Sequence, residues 1–174
     1  MNKILTVDFF NRPTLKVAKD ILGKYLIKKL EDKKISLIIT EVEAYDGEND
    51  LACHGRLGKT KRTEPMFGNP GYFYVYLIYG MYWMLNIVTG SKNYPAAILI
   101  RGTNEISGPG RLTKKLNIDK KFNKKIANPK TGLWFEDRGV KITQKNILRT
   151  PRIGVKYAGP IWGKKPYRFV LKSL

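Results

Sequence analysis

A single cysteine, Cys53, and a single histidine, His54, are all that this chain of 174 residues offers of either type. One thiol cannot close an internal disulfide, which excludes a stapled secreted scaffold, and no Cys or His pair has the spacing of a zinc site. A zinc deaminase is excluded on the same ground, because Cys-x-x-C is missing. Met1 to Asp8 is too short an apolar run for a leader, so the sequence carries no export signal and fits a reducing cytoplasm. Acidic residues are scarce too: 14 Asp+Glu stand against 33 Lys+Arg, a net charge of +19.

That excess is gathered into clusters. Lys59, Lys61 and Arg62 form one, Arg111 with Lys114 and Lys115 another, then Lys120, Lys121, Lys124 and Lys125, and finally Lys164, Lys165 and Arg168. A solvated lysine-rich surface accounts for any one of them, but their sum is the footprint of a polyanion, most often nucleic acid. No repeat, low-complexity tract or linker divides the chain, whose length suits one domain spanning residues 1–174.

From Pro65 to Ser91 charge is absent altogether. So long an uncharged window is formally a membrane-span candidate, but five tyrosines, an Asn and an internal Gly make it a poor spanning helix. Tyr72, Tyr74 and Tyr76 alternate with Phe73, Val75 and Leu77, and after Gly80 the alternation resumes with Trp83, Leu85 and Ile87 against Tyr82, Met84, Asn86 and Val88. The period of two predicts two strands, with Ile78-Tyr79-Gly80 as the turn between them. Most of these aromatics suit a sheet core. A tyrosine at the tip of a ribbon is different, because it is shaped to push a ring into something.

Around this ribbon the chain reads as an α+β fold built mainly on antiparallel sheet. A helix follows Pro13, with Leu15, Ala18 and Leu22 on one face and Gly23 as its stop. Tyr25–Ile27 and Ile35–Thr40 form a hairpin, and the second strand runs on to Tyr45 before Asp46-Gly47 breaks it. Its alternation puts Glu41, Glu43 and Tyr45 on one face and Val42 and Ala44 on the other. Two carboxylates on a strand that faces phosphates would repel them unless they had a task, and His54 follows close by. Ala96–Ile100 is a buried strand ending at Arg101, which is either a surface residue or one held near Glu43, where it would fix that carboxylate's charge state. Two segments suit phosphates: the Gly- and base-rich loop from Gly55 to Thr63, with Arg56, Lys59, Lys61 and Arg62, and the tight Ser107-Gly108-Pro109-Gly110-Arg111 loop opening a helix over 112–116. Asn117–Asn128 reads as a long lysine-rich connection, and Leu133–Phe135, Val140–Ile142 and Tyr167–Leu171 as further strands.

Glu43-Ala44-Tyr45, Ala52-Cys53-His54, Met66-Phe67-Gly68, the string from Tyr74 to Tyr82, Asn86, Leu99-Ile100-Arg101, Ser107-Gly108-Pro109, Arg152–Val155 and Pro166–Phe169 together resemble the alkyladenine (3-methyladenine) DNA glycosylase family, in order along nearly the whole chain. The resemblance implies a curved, mainly antiparallel sheet with flanking helices and a protruding hairpin, no metal and no organic cofactor. It implies removal of alkylated or deaminated purines from double-stranded DNA, leaving an abasic site. By position, Glu43 resembles the general base that activates water and Arg101 the residue that helps to hold it. Tyr45, His54 and Tyr76 are similar to the walls of the base pocket, with Ala52 and Met81 nearby. Tyr79 resembles the wedge that replaces the flipped nucleotide, and Asn86 the residue that excludes guanine. Pro160 and Tyr167 depart from the family pattern and bear on local DNA contacts. The resemblance implies a cytoplasmic protein, nucleoid-associated if bacterial, and the absence of an exposed apolar helix suits a monomer. The rival reading is a non-catalytic basic nucleic-acid-binding module, which explains the charge and the tyrosines but has no use for Glu43, His54 and Arg101 together.

Overall fold

The computed structural model describes residues 2–31 and 33–173. The chain opens with β1 (Lys3–Ile4), α1 (Val7–Phe10) and α2 (Thr14–Asp20), followed by β2 (Tyr25–Lys29) and the long β3 (Lys34–Asp46). Two short 3₁₀ turns, His54–Leu57 and Glu64–Phe67, lead into β4 (Phe73–Ile78) and β5 (Tyr82–Val88), then β6 (Ala96–Thr103) and α3 (Pro109–Lys115). The rest comprises β7 (Leu133–Asp137), β8 (Ile147–Thr150), α4 (Gly159–Trp162) and β9 (Arg168–Leu171). All pairings between these strands are antiparallel, in the order β1-β7-β2-β3-β6-β5-β4, with β9 beside β3 and β8.

Strand β3 is the spine. Its first half pairs with β2 and its second half lies between β6 and β9, with register irregularities at Ile39/Glu41 and Glu41/Val42 where it passes from one neighbour to the other. Bulges of this kind bend and twist a sheet locally. Past the bend, alternation divides the residues cleanly. Val42, Ala44, Phe73, Val75, Leu85, Ile87, Ile98 and Ile100 enter the main core with α2 and α3 residues such as Val17, Ala18 and Leu112. Glu43, Tyr45, Tyr74, Tyr76, Met84, Asn86, Leu99 and Arg101 take the other face.

The ribbon read from the sequence is β4 and β5, in register from Phe73↔Ile87 to Ile78↔Tyr82. At its tip the Met81 N–H donates to the Ile78 carbonyl (3.1 Å), and both central residues have positive φ, Tyr79 at 50° and Gly80 at 67°. That is the sign pattern of a type I′ turn, whose twist matches that of the flanking strands. Glycine adopts it freely, whereas a left-handed tyrosine costs about 1–2 kcal/mol. The other edge of β4 is covered by the lysine-rich connection: the Phe73 N–H donates to the Lys125 carbonyl (2.8 Å), the Lys124 N–H donates to the Phe73 carbonyl (2.9 Å), and Asn123 Oδ1 accepts from the Val75 N–H (3.0 Å). The helix read after Pro13 is α2, and the one read over 112–116 starts earlier, at Pro109.

One strand expectation fails. Val140–Ile142 has apolar alternation but no partner strand, and its side chains instead cover Gly23, where an added Cβ would stand 2.6 Å from Ile142 Cγ1 and 3.4 Å from Val140 Cγ1. The strand in this part of the chain is β8, Ile147–Thr150, paired with β9. Gly23 has a φ of 78° and donates to the Ile39 carbonyl, so it both ends the α2 segment and locks it onto β3. Gly23→Ala is expected to destabilise the fold by at least about 1–2 kcal/mol, read as a lower urea midpoint at unchanged slope. An unchanged midpoint would show that the segment carrying Ile142 yields freely.

Candidate active site

The aromatic face of the sheet opens into a cavity of about 520 Å³. Tyr45, Tyr74, Tyr76 and His54 wall it, Met84, Asn86, Leu99 and Arg101 lie along the sheet, and Ile153, Gly154, Val155 and Tyr157 close one side, with Leu77–Tyr79 and Pro109 at the rim. The Tyr74 and Tyr76 rings sit 4.9 Å apart, and the His54 ring meets Tyr76 edge-on at 4.8 Å. A slot lined by ring faces with a few polar atoms is the chemistry of a site for a flat, partly polar ligand.

Behind the wall is Glu43, fully buried. An isolated buried carboxylate is costly, and here three donors meet it. The Tyr45 hydroxyl donates to Oε2 (2.9 Å), Arg101 Nη1 to the same oxygen (3.3 Å), and the Ile153 N–H to Oε1 (2.7 Å). All three donor residues line the cavity, so the carboxylate lies one contact behind its surface. Arg101 Nε also donates to Glu41 (2.9 Å), which receives a second arginine, Arg168, at 2.7 Å. Two carboxylates and two guanidiniums thus balance. Burial, and next to it the Glu43 charge, pushes the Tyr45 phenol well above its ordinary value, so it stays protonated and keeps donating.

His54 Nδ1 lies 3.1 Å from the Tyr74 hydroxyl. Burial, with Arg62 as the lesser cause, pushes the imidazole down to about 4, so it is neutral at physiological pH, and burial pushes Tyr74 up to about 12. Cys53 is also pushed up, to about 12 by burial, and its thiol donates to the Pro95 carbonyl, so it is a packing residue and not a nucleophile.

The expected residues fall into three groups. Glu43, Arg101, Tyr45, His54, Tyr76 and Asn86 come together at the cavity. Asn86 commits its amide nitrogen to the Tyr74 and Met84 carbonyls (3.1 and 3.3 Å), which leaves Oδ1 as its group without a partner among the described residues. Tyr79 stands at the ribbon tip, 85% exposed, and Arg56, Lys59, Lys61, Ser107 and Arg111 are exposed too, with Gly108 at the start of α3. Two placements differ from the reading of the sequence. Met81 is 65% exposed on the turn, one residue past Gly80, and is a neighbour of Tyr79 and not of the cavity. Ala52 is buried behind Tyr45 with Val155 and Ala158; it reaches the site only through its carbonyl, which accepts from the Tyr157 hydroxyl (3.1 Å).

What the sequence did not reveal is the brace that holds this wall. Arg152 and Asp50 are both fully buried and paired, with Arg152 Nη2 to Asp50 Oδ1 at 2.8 Å, while Arg152 Nη1 also donates to the Ala44 carbonyl (2.8 Å). The guanidinium is stacked between Tyr45 (4.8 Å to the centroid) and Tyr167 (5.2 Å). Asp50 in turn accepts from the Ala52 and Asp46 N–H groups. The pair thereby fixes the end of β3, the approach to His54 and the Ile153 turn to one another.

Removing one partner of a buried pair strands the other charge, so Asp50→Ala is expected to cost about 3–5 kcal/mol of stability in denaturant unfolding; a loss under about 1 kcal/mol would mean that Arg152 finds water. For His54 the folded-state value lies below the unfolded one. Between about 6.5 and about 4 the unfolded chain takes up a proton that the folded chain refuses, so this residue's contribution to stability falls as pH falls through that window. His54→Gln should flatten the stability profile there relative to the wild type, and parallel profiles would contradict the depressed value.

Comparison with known proteins bears on the same residues. The methylpurine-DNA glycosylase (MPG) family matches residues 8–107 and 103–174. A protein of Methanocella arvoryzae is 43% identical over 190 aligned residues, covering 98% of this chain and 93% of that protein. One from Legionella pneumophila strain Paris is 43% identical, covering 99% and 96%, and one from Wolbachia sp. subsp. Brugia malayi is 52% identical, covering 88% and 91%. Each is provisionally named a 3-methyladenine DNA glycosylase. The chain belongs to the methylpurine-DNA glycosylase family, and is accordingly a DNA glycosylase, a hydrolase whose substrate is DNA.

Proposed function

We infer that the chain flips alkylated and deaminated purines out of duplex DNA and hydrolyses their N-glycosidic bond, leaving an abasic site; the lesions are 3-methyladenine, 7-methylguanine, hypoxanthine and ethenoadenine. The observation that carries this reading is the buried, triply bonded Glu43 behind an aromatic cavity whose rim bears the exposed Tyr79.

Extruding a nucleotide costs a few kcal/mol. Tyr79 offsets that cost by stacking where the base had been, an interaction worth about 1–3 kcal/mol. Met81 on the same turn adds an apolar contact beside it. Arg56, Lys59, Lys61, Ser107, Gly108 and Arg111 hold phosphates around the opening. Within the cavity, Tyr45, Tyr76 and neutral His54 favour a purine whose ring carries positive charge, because cations are attracted to π faces. Asn86 presents an acceptor oxygen, and crowding at this position disfavours any purine with a 2-amino group, so 7-methylguanine is taken over guanine because only its charged ring gains on the aromatic walls.

As the base departs, the sugar develops oxocarbenium character. Glu43 stabilises that charge and takes the proton of the attacking water, while Arg101, paired with the carboxylate, helps to orient the water. No lysine is among the described residues lining the cavity, so a Schiff-base step has no evident nucleophile there and direct hydrolysis is favoured. The chain acts as a monomer on this reading, with no cofactor. A non-catalytic binding module leaves the Glu43 cluster without a purpose.

Chromatography of free bases released from methylated duplex tests the assignment. Glu43→Gln should retain lesion binding and lose release by at least about 10²-fold, with no strand breaks in the wild-type reaction until alkali is added. Retained release by that variant, or breaks without alkali, would overturn the mechanism.

A further inference from the structure

Arg62 reads in the sequence as a backbone contact, and in the folded chain it stays exposed yet also lines the cavity. The segment that presents it is tied to itself: the Thr60 N–H donates to Thr63 Oγ1 (2.8 Å), the Thr63 N–H to Thr60 Oγ1 (3.2 Å), the Thr63 hydroxyl to the Gly58 carbonyl (2.9 Å), and the Glu64 N–H to the Thr60 carbonyl (2.8 Å). From this turn the guanidinium reaches back over the Tyr76 ring, 5.2 Å from its centroid, and lines the cavity beside His54 and Tyr74. Among the described residues it has no ion-pair partner. Tyr76 is therefore occupied by a permanent cation before any ligand arrives.

A positively charged purine needs the same ring. Two cations cannot share one aromatic face in a partly water-excluded slot, because their repulsion grows as the dielectric falls. One of them has to leave, and only Arg62 has a solvent-exposed path and a waiting partner, the phosphates that travel with a flipped nucleotide. Arginine is the side chain suited to both surfaces, since its plane stacks on rings and its donors fork onto phosphate.

We propose that Arg62 is a resident cation that determines specificity at Tyr76: it covers the ring in the empty site and exchanges it for a backbone phosphate when a lesion enters on DNA. The proposal rests on the assigned lesion chemistry. It makes the pocket poor at binding a cationic base that arrives without its phosphates. It also favours product departure. When the N-glycosidic bond breaks, its electron pair stays on the base and cancels the ring's positive charge, so the freed base holds the π face less tightly than the substrate did. Arg62 then regains the ring.

Arg62→Ala and Arg62→Lys separate the two halves of the exchange. The probes are 7-methylguanosine, held below neutral pH so that its ring is cationic, inosine as the neutral control, and a duplex carrying one hypoxanthine. With His54 pushed down to about 4, the pocket itself gains no proton in that range. Tyrosine fluorescence should show 7-methylguanosine binding Arg62→Ala roughly three-fold or more tighter than wild type, with a smaller gain for inosine. The duplex should bind the same variant more weakly, with the salt slope reduced by about 1, the mark of one lost phosphate contact. Arg62→Lys should keep the slope and gain part of the nucleoside affinity, because an ammonium holds phosphate but stacks poorly. Unchanged or weaker 7-methylguanosine binding to Arg62→Ala overturns the exchange, as does failure of either nucleoside to bind either protein. Base release from methylated DNA by the wild type reads the enzymatic assignment separately: release with unmoved nucleoside affinities sinks the exchange alone, and moved affinities without release sink the assignment alone.

Discussion

A carboxylate buried out of bulk water behind the cavity is the constraint from which the rest of this structure follows. Taking an ion of this size out of water carries an effective penalty of several kcal/mol, and only multiple donors at good geometry offset it. Glu43 obtains one donor from its own strand, Tyr45 two residues along, and two from distant parts of the chain, Arg101 from β6 and the Ile153 N–H from the loop after β8. None of the three can shift without exposing the charge to an unmet demand. That requirement fixes β3 against β6 and draws the Ile153 loop onto the sheet, and the cavity is the space left between them.

The sheet supplies the rest through its alternation. Val42, Ala44, Ile98 and Ile100 bury one face in the main core, and the residues between them deliver Glu43, Tyr45, Leu99 and Arg101 to the other. The burial that stabilises the fold and the placement of the site are therefore one register, and a one-residue slip would exchange them. Asp50 and Arg152 add what the sheet cannot, since the Ile153 loop has no strand partner of its own. Their buried pair, together with Arg152 stacked between Tyr45 and Tyr167, holds the loop beside the Ile153 N–H bond to Glu43.

How much of this was legible in the sequence depended on the range of the interaction. Alternation is local, so the ribbon from Phe73 to Val88, its tip at Tyr79, and the shared face of Glu41, Glu43 and Tyr45 could all be read directly. Alternation without a partner misled at Val140–Ile142, whose apolar side chains cover Gly23 and enter no ladder, while Ile147–Thr150, half polar and short, gave no signal although it pairs with β9. Met81 followed a resemblance and not a pattern, and the turn geometry sends it outward. Asp50 and Arg152 lie 102 residues apart, and nothing in either neighbourhood announces the other. Arg62 looked like one more base in a basic loop, because only the folded chain shows which ring it covers.

These placements also resolve a tension in the charge. A protein at +19 is drawn to a polyanion, yet on the proposed function its cavity has to welcome a cation and stabilise a positively charged sugar. Uniform positive charge would serve the first task and defeat the second. Pairing Glu41 and Glu43 with Arg101 and Arg168 keeps the floor close to neutral, and pushing His54 down prevents a further positive charge in the wall. The excess is left to exposed lysines and arginines outside the cavity. Arg62 is the one guanidinium that crosses from rim to ring, and it is the one with no carboxylate among the described residues to hold it there. On the proposed exchange, a cation held by a π face and the Tyr74 hydroxyl but by no carboxylate is readily given up to a phosphate, so the charge that stands in the way of the lesion would also be the charge that the lesion's own backbone removes.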